Sequence, residues 1–484
     1  MGILLIIEGV FLLTALPFSW YYGSAGAFEF HFFDGTHDFW PLVVSSVITF
    51  AGGLGLYFFA GRDVKKVISR RDGYVIVSLA WVVISLFGAL PFFLSGAIGS
   101  YADAFFETIS GFTTTGATIL TDIEAMPKGL LFWRSMTHWI GGMGIIVLSL
   151  AILPFLGIGG MQLFIAEVPG PTPDKLHPRI TQTAKRLWGI YVLLTVVETG
   201  LLMLGGMNLF DGLCHAFGTM ATGGFSTKNA SIAAFSPYIQ YVIAVFMILA
   251  GTNFTLHYIA LHGRLKDVWK NEEYRYFIFT IISASVIIAT ALILTQQGGI
   301  EKSLRDALFT VVSIITTTGY ITADYLIWPG VLWFIIFLLM FVGGSAGSTG
   351  GGIKVVRQLL LLKNSVLELK RLMHPQAVIP VRMNGRPVSQ DIIFNVLAFF
   401  LIYMITFAIG TFVMSMLGLD FQSAIGATAA TLGNIGPGIG MVGPVGNYAE
   451  VHIIGKWFLS FLMLLGRLEL FTVLILLSPA FWRR

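Results

Sequence analysis

Thr113-Thr114-Thr115-Gly116-Ala117-Thr118 reads as a Gly-centred turn at the end of a short apolar stretch, and the chain holds three more like it. They are Met220-Ala221-Thr222-Gly223-Gly224-Phe225, Thr316-Thr317-Thr318-Gly319-Tyr320 and Gly433-Asn434-Ile435-Gly436-Pro437-Gly438. Asp103 precedes Gly116 by 13 residues, Asp211 precedes Gly223 by 12, and Asp306 precedes Gly319 by 13. In the fourth copy Ser423 stands 13 before Gly436, where an acid would match the other three. Gly116, Gly223, Gly319 and Gly436 are 107, 96 and 117 residues apart, which makes a repeating unit of roughly a hundred residues. One Thr-Gly turn could simply join two helices. Four at near-constant spacing inside matching frames point to an internal repeat with a shared task.

Outward from each turn the same frame recurs. A spanning helix needs roughly 20 apolar residues, and candidates lie near 3–22, 41–61, 74–95, 132–153, 187–206, 237–261, 276–295, 328–344, 391–416 and 453–480. Between pairs of these fall stretches near 102–113, 211–221, 304–316 and 423–433 that are too short to cross. They are expected as re-entrant half-helices, which membrane depth tolerates only where protein or water lines them. The expected fold is an all-α polytopic membrane protein. Its two N-terminal helices (1–71) precede four pseudo-fourfold repeats at 72–160, 161–265, 266–375 and 376–484.

Composition and charge placement agree. Hydrophobic residues make up 56% of the 484 and charged residues 11%, against about 25% charged in a soluble domain. The formal net charge of +4 does not indicate nucleic-acid binding, because the basic residues sit in short loops between apolar runs. Of the 29 Lys and Arg, 22 fall on one side of the ten expected spans. They run from Arg62, Lys65 and Lys66 through Lys175, Arg179, Arg264 and Lys354 to Arg483 and Arg484. The positive-inside rule makes that side cytoplasmic, places both termini inside, and brings every half-helix in from outside. Met1 to Trp20 lacks a basic start and carries Glu8, so it is expected as a retained helix. Cys214 is the only cysteine, which rules out an intrachain disulfide or a cysteine zinc cluster. A polytopic enzyme would need a catalytic constellation at membrane depth, and the sequence has no H-E-x-x-H and no paired membrane aspartates.

The turns suit a dehydrated alkali cation. A potassium filter replaces the ion's water with rings of backbone carbonyls, and turning carbonyls toward an axis calls for Gly at a fixed place. Thr residues add hydroxyl oxygens. The half-helices end just before the turns, so their partially negative C-termini face the ion. Oxygen ligands without carboxylates fit an alkali ion better than calcium or a transition metal.

With these turns, two extra N-terminal helices, the run Gly343-Gly344-Ser345-Ala346-Gly347-Ser348-Thr349-Gly350-Gly351-Gly352 and Arg467, the chain resembles the Trk/Ktr/HKT superfamily of potassium transporters, TrkH/TrkG type. The resemblance implies a four-part filter made of Thr114, Thr115, Gly116 and Ala117; Ala221, Thr222, Gly223 and Gly224; Thr317, Thr318, Gly319 and Tyr320; and Asn434, Ile435, Gly436 and Pro437. Ala221-Thr222 and Asn434-Ile435 leave the ring of side-chain hydroxyls incomplete, which keeps open a sodium-permeable or sodium-coupled transporter. Residues 343–352 hold six Gly and cannot sustain a straight helix, since each Gly costs about 1 kcal/mol relative to Ala. The resemblance implies a gate loop crossing the pore below the filter, with Arg467 as a fixed positive charge beside it. The alternatives are a close helix-packing site and a structural salt bridge. The resemblance further implies potassium uptake across the bacterial cytoplasmic (inner) membrane, a homodimer, and a TrkA-like cytosolic nucleotide-binding regulatory subunit. This chain has no nucleotide fold and no cofactor of its own, and potassium is its transported ion. The basic stretch 354–390 suits anionic lipid headgroups and equally an acidic or nucleotide-regulated partner. The outer loop 23–40, with His31, Asp34 and His37, reads as a solvated cap rather than a metal site.

Overall fold

The computed structural model describes residues 1–23, 31–60, 70–144, 180–295, 299–374, 376–377 and 379–483. Arg62, Lys65, Lys66, Lys175, Arg179, Arg484, the far end of the expected 132–153 span and the expected boundary at 160/161 lie outside the described residues.

All four half-helices form, as Tyr101–Phe112, Leu209–Met220, Ile300–Ile315 and Phe421–Leu432. Capping explains where two of them begin. The Asn208 side chain accepts the Asp211 N–H at 2.7 Å, and Asp420 accepts the Ser423 N–H at 3.1 Å, each satisfying an orphan donor of the first turn. In the first two copies the repeated acid, Asp103 or Asp211, sits in the first turn, where the helix dipole favours negative charge; in the third, Glu301 takes that place and Asp306 lies deeper in the helix. Each half-helix follows a long apolar segment: Arg70–Gly88 with Leu90–Leu94, Ile180–Leu204, Glu272–Thr295 and Gln390–Met416. The half-helices are wrapped by protein; Ala104 through Phe112 are all buried. The last three long segments face outward over most of their length instead, whereas Arg71–Leu94 is mostly buried. Along Gln390–Met416, Phe394, Leu401, Ile405, Ile409 and Phe412 stay exposed, as a lipid-facing stripe would. The N-terminal helix Gly2–Leu13 packs on Phe39–Ala60 through small residues, and a Cβ on Gly9 would lie 3.2 Å from the Ser46 carbonyl oxygen.

The segments after the turns depart from the expectation of continuous spans. They are the helices Lys128–Gly142, Pro237–Ala250, Gly330–Leu339 and Ile453–Arg467; the last three stop partway along the expected spans, and the chain just after Gly144 lies outside the described residues. The 237–261 segment bends by 102° before Phe254–Leu261, and the 453–480 segment bends by 113° after Arg467. Asn253 causes the first bend by capping a new helix, accepting the Thr255 N–H at 2.8 Å. At the second, Glu469 and Leu470 both adopt positive φ (56° and 53°), and Glu469 is held in an ion pair with Arg357. The expected 328–344 helix covers only Gly330–Leu339. The chain then runs through the Gly-rich segment and resumes as Val355–Met373.

Among the described residues, six helices are long and apolar enough to cross a membrane, or eight if each bent pair is one span. The pattern is that of a multi-pass membrane protein. The only strands among the described residues are Arg382–Met383 and Arg386–Pro387, a small hairpin.

Candidate functional site

The four half-helices end alike. Thr114, Thr222, Thr317 and Asn434 have φ of 52°, 55°, 58° and 53°. Their N–H groups donate three residues back, to Gly111, Thr219, Ile314 and Thr431 at 2.9–3.3 Å. The next N–H in each copy (Thr115, Gly223, Thr318, Ile435) reaches five residues back, to Ser110, Gly218, Ser313 and Ala430 at 2.8–2.9 Å. This is a Schellman cap, whose left-handed position normally belongs to Gly. Holding a β-branched Thr there costs on the order of 1–3 kcal/mol, and such strain gathers at functional sites.

Two residues after each left-handed cap comes a left-handed glycine: Gly116, Gly224, Gly319 and Gly436, with φ of 77°, 82°, 78° and 96°. In the second copy this is Gly224, not the expected Gly223. The spacing from Asp103, Asp211, Asp306 or Ser423 is then 13 in all four copies.

These glycines close a ring. A Cβ on Gly116 would collide with the Gly223 carbonyl oxygen, one on Gly224 with that of Thr318, and one on Gly319 with that of Ile435. A Cβ on Gly436 would sit 2.7 Å from the Thr115 carbonyl oxygen, completing the circuit. Each glycine is thus required twice over, by its φ and by the carbonyl pressed against it from the next copy. The four glycines also line one open cavity of about 190 Å³, together with Ala117, Thr118, Phe225 and Pro437.

Corrected by one residue in the second copy, the side-chain pattern changes. The position two before the glycine is polar in every copy: Thr114, Thr222, Thr317 and Asn434. The incomplete ring is the next one, Thr115, Gly223, Thr318 and Ile435. At Gly223 the gap is filled from outside the copy, since a Cβ there would overlap the His138 ring. His138 Nδ1 donates to the Gly111 carbonyl at 2.7 Å, while Nε2 accepts the Phe225 N–H at 3.2 Å, which fixes a neutral imidazole between the first and second turns. Asn434 Nδ2 donates to Thr115 Oγ1 at 3.0 Å and to the Met463 carbonyl at 2.9 Å, so its amide ties the fourth copy to the first. Ala221 is fully buried behind the second turn. Tyr320 turns away from the cavity. Its hydroxyl donates to the His215 carbonyl at 3.0 Å, and its own carbonyl accepts from Ser313 Oγ at 2.7 Å.

Behind the first two turns lies a buried ion pair that no motif signalled. Arg134 Nε meets Glu107 Oε1 at 2.7 Å, with both side chains nearly inaccessible. Glu107 also accepts Thr118 Oγ1 at 2.8 Å and the Ile119 N–H at 2.9 Å. Arg134 donates to the Ser226 carbonyl at 3.1 Å and stacks on Phe225, 3.5 Å from its centroid. Removing one partner of such a pair strands a buried charge, at a cost of roughly 3–5 kcal/mol. Arg134→Leu should therefore lower the unfolding midpoint in detergent sharply; a wild-type midpoint would show that the pair is dispensable.

The Gly-rich segment 343–352 packs against the inner side of these turns. Gly343, Gly344, Ser345, Ser348, Thr349, Gly350, Gly351 and Gly352 are buried, with Ala346 and Gly347 partly so. The Gly351 N–H donates to Thr317 Oγ1 at 2.7 Å, and a Cβ there would lie 2.8 Å from the Asn434 Cβ. Thr349 Oγ1 donates to the Met220 carbonyl at 3.0 Å, at the end of the second half-helix. The segment docks in the bend of the 237–261 helix, where the Ser345 N–H donates to Gly251 at 2.9 Å and the Phe254 N–H to Gly347 at 3.0 Å. Arg467 donates from Nη1 to the Thr349 carbonyl at 2.7 Å. From Nη2 it donates to Gly141 and Gly142 at 2.7 and 3.1 Å. A cation at the end of Ile453–Arg467 thus ties the segment to the carbonyl end of Lys128–Gly142. Lys354, also buried, donates to the Gly350 carbonyl.

The sequence profile of TrkH, described as "Cation transport protein", matches residues 43–484. The chain belongs to the TrkH family. It is 43% identical over 449 residues to the Trk system potassium uptake protein TrkH of Halomonas elongata, covering 92% of this chain and 93% of that one. It is 44% identical over 435 residues to the Trk system potassium uptake protein TrkH of Escherichia coli, covering 88% and 89%. The crystal structure of the potassium transporter TrkH from Vibrio parahaemolyticus matches with a TM-score of 0.87 at 39% identity, across 100% of this chain and 98% of that one. The family is one of transport proteins rather than enzymes.

Proposed function

We propose that this TrkH-family chain takes up potassium through a filter formed by its four turns, gated by residues 343–352 with Arg467. The closed ring of glycine–carbonyl contacts carries this reading. It supplies a circuit of backbone oxygens whose spacing is fixed by direct contact between copies, as replacing a hydration shell requires. The relatives' names favour potassium, and nothing among them supports the sodium-permeable alternative. The filter residues are Thr114 to Ala117, Thr222 to Phe225, Thr317 to Gly319 and Asn434 to Pro437, with the second copy shifted by one from its sequence reading and Tyr320, whose hydroxyl and carbonyl are engaged elsewhere, left out. The repeats run over 72–160, 161–265, 266–375 and 376–484. The charge distribution supports a cytoplasmic-membrane protein with both termini inside. The resemblance supports a homodimer on a TrkA-like nucleotide-binding subunit, and the basic charge of the 354–390 stretch suits anionic lipid or an acidic partner.

Arg467 holds the loop by donating to its Thr349 carbonyl, so Arg467→Gln should loosen the closed state and raise potassium flux about tenfold, equivalent to roughly 1.4 kcal/mol. Growth of a potassium-uptake-deficient bacterium on limiting potassium tests the function itself. Wild-type chain should restore growth and Gly436→Ser should not; no rescue by wild type, co-expressed with a cytosolic partner, would sink the proposal.

A further inference from the structure

The outer loop between Leu16–Tyr22 and Phe39–Ala60 holds a cluster that potassium transport does not use. Phe33 and Gly35 take positive φ (61° and 75°), folding the segment into a tight turn. The Phe33 N–H donates to Leu94 at 3.0 Å and the Gly35 N–H to Ser95 at 2.8 Å, which pins the turn to the rest of the protein. The turn gathers His31, Asp34 and His37, three residues apart in each step. One ligand atom from each lies within 4.8 Å of the others, the only such cluster among the described residues. Asp34 Oδ2 is 2.6 Å from His37 Nδ1 and 3.9 Å from His31 Nδ1. The two imidazoles lie face to face, with centroids 4.5 Å apart. Asp34 Oδ1 is occupied separately, accepting the Thr36 and His37 N–H groups at 3.0 and 3.1 Å. Its second oxygen is therefore held toward the rings.

From this geometry we infer that His31, Asp34 and His37 bind one divalent transition-metal ion of the zinc type. Two imidazoles and a carboxylate are a zinc donor set, and three protein ligands leave a fourth position for water. Potassium, magnesium and calcium prefer all-oxygen shells and do not fit. Bonds of about 2.0–2.1 Å to zinc require the three donor atoms to settle at similar separations. Small side-chain rotations bring the 3.9 Å approach in and the 2.6 Å contact out.

The site adjoins a structural contact of the pore. Asp38, the residue after His37, is buried and accepts the Leu130 N–H at 3.1 Å. It thereby caps the Lys128–Gly142 helix that carries Arg134 and His138. An ion held by His37 would fix the approach to that cap.

The test is calorimetric titration of zinc chloride into the full-length, tag-free, chelator-treated protein in detergent. The wild type should bind one equivalent per chain. His31→Gln and Asp34→Asn should each weaken that binding at least tenfold, whereas His262→Gln, at another exposed histidine, should leave it unchanged. Asp34→Asn keeps an acceptor for the two backbone N–H groups, so it holds the fold if His31→Gln does not. Cobalt absorption provides the second measurement, with d–d bands expected in the wild type and absent from Asp34→Asn. No stoichiometric binding, or binding indifferent to both His31→Gln and Asp34→Asn, would overturn the assignment.

Discussion

Gly319→Ser is expected to lower the potassium-to-sodium flux ratio at least tenfold. Position 319 is confined in two independent ways. Its φ of +78° is one that L side chains rarely adopt, and a Cβ would overlap the Ile435 carbonyl oxygen and lie 2.8 Å from Pro437 Cδ. A serine there must push the Ile435 carbonyl out of the ring, rotate its own peptide, or both. Either change widens the circuit on one side, and a wider circuit loses its advantage for the larger ion first. A differential of about 1.4 kcal/mol already corresponds to a tenfold change in ratio. Rubidium and sodium uptake into proteoliposomes reads the ratio directly. An unchanged ratio would remove Gly319, and with it the contact ring, from selectivity.

The second large effect concerns the gate. Deleting Ser345 through Thr349 should raise potassium flux at least tenfold while leaving the potassium-to-sodium ratio as in the wild type. The deletion is geometrically mild, because a Cβ on Gly350 would lie 3.3 Å from the Gly344 Cα and the two ends already meet. It removes the Thr349 anchors to Met220 and Arg467 and the Ser345 anchor to Gly251. The glycine–carbonyl ring includes none of the deleted residues. Flux that stays at the wild-type level would mean that the loop does not obstruct the path. Raised flux with lost selectivity would mean that it also shapes the filter.

Much of this was legible because the membrane constrains sequence tightly. The half-helices were readable from apolar stretches too short to span, and they lie within a few residues of their expected places. The second turn lies one residue later than its sequence suggests, because Gly223 and Gly224 are adjacent and both suit a turn. The constant spacing from Asp211 held the correct answer, since only Gly224 restores 13. Gly223 answers a different demand, room for the His138 ring, and no local pattern states that. Tyr320 looked like a channel-filter residue by position but turns back to brace His215, a contact 105 residues distant that spacing does not encode. The breaks after the turns were hidden for a similar reason. Asn253 and the Glu469–Leu470 pair interrupt apolar runs without Pro, and the Gly-rich segment that fills the bend comes from another repeat. Arg134 and Glu107 left a fainter signal, as charges in otherwise apolar stretches. Such charges are expensive at membrane depth and imply a partner, though not which one.

Closure of the four turns into one potassium-selective ring has a direct consequence for relative ion flux. It is tested most directly by measuring potassium, rubidium, sodium and lithium flux into liposomes, with the wild-type chain and the Ser345–Thr349 deletion side by side so that a closed gate does not mask the filter. Potassium and rubidium fluxes at least tenfold above those of sodium and lithium are expected, with the same ranking in both proteins. Equal flux of all four ions through the deletion would contradict closure of a selective ring.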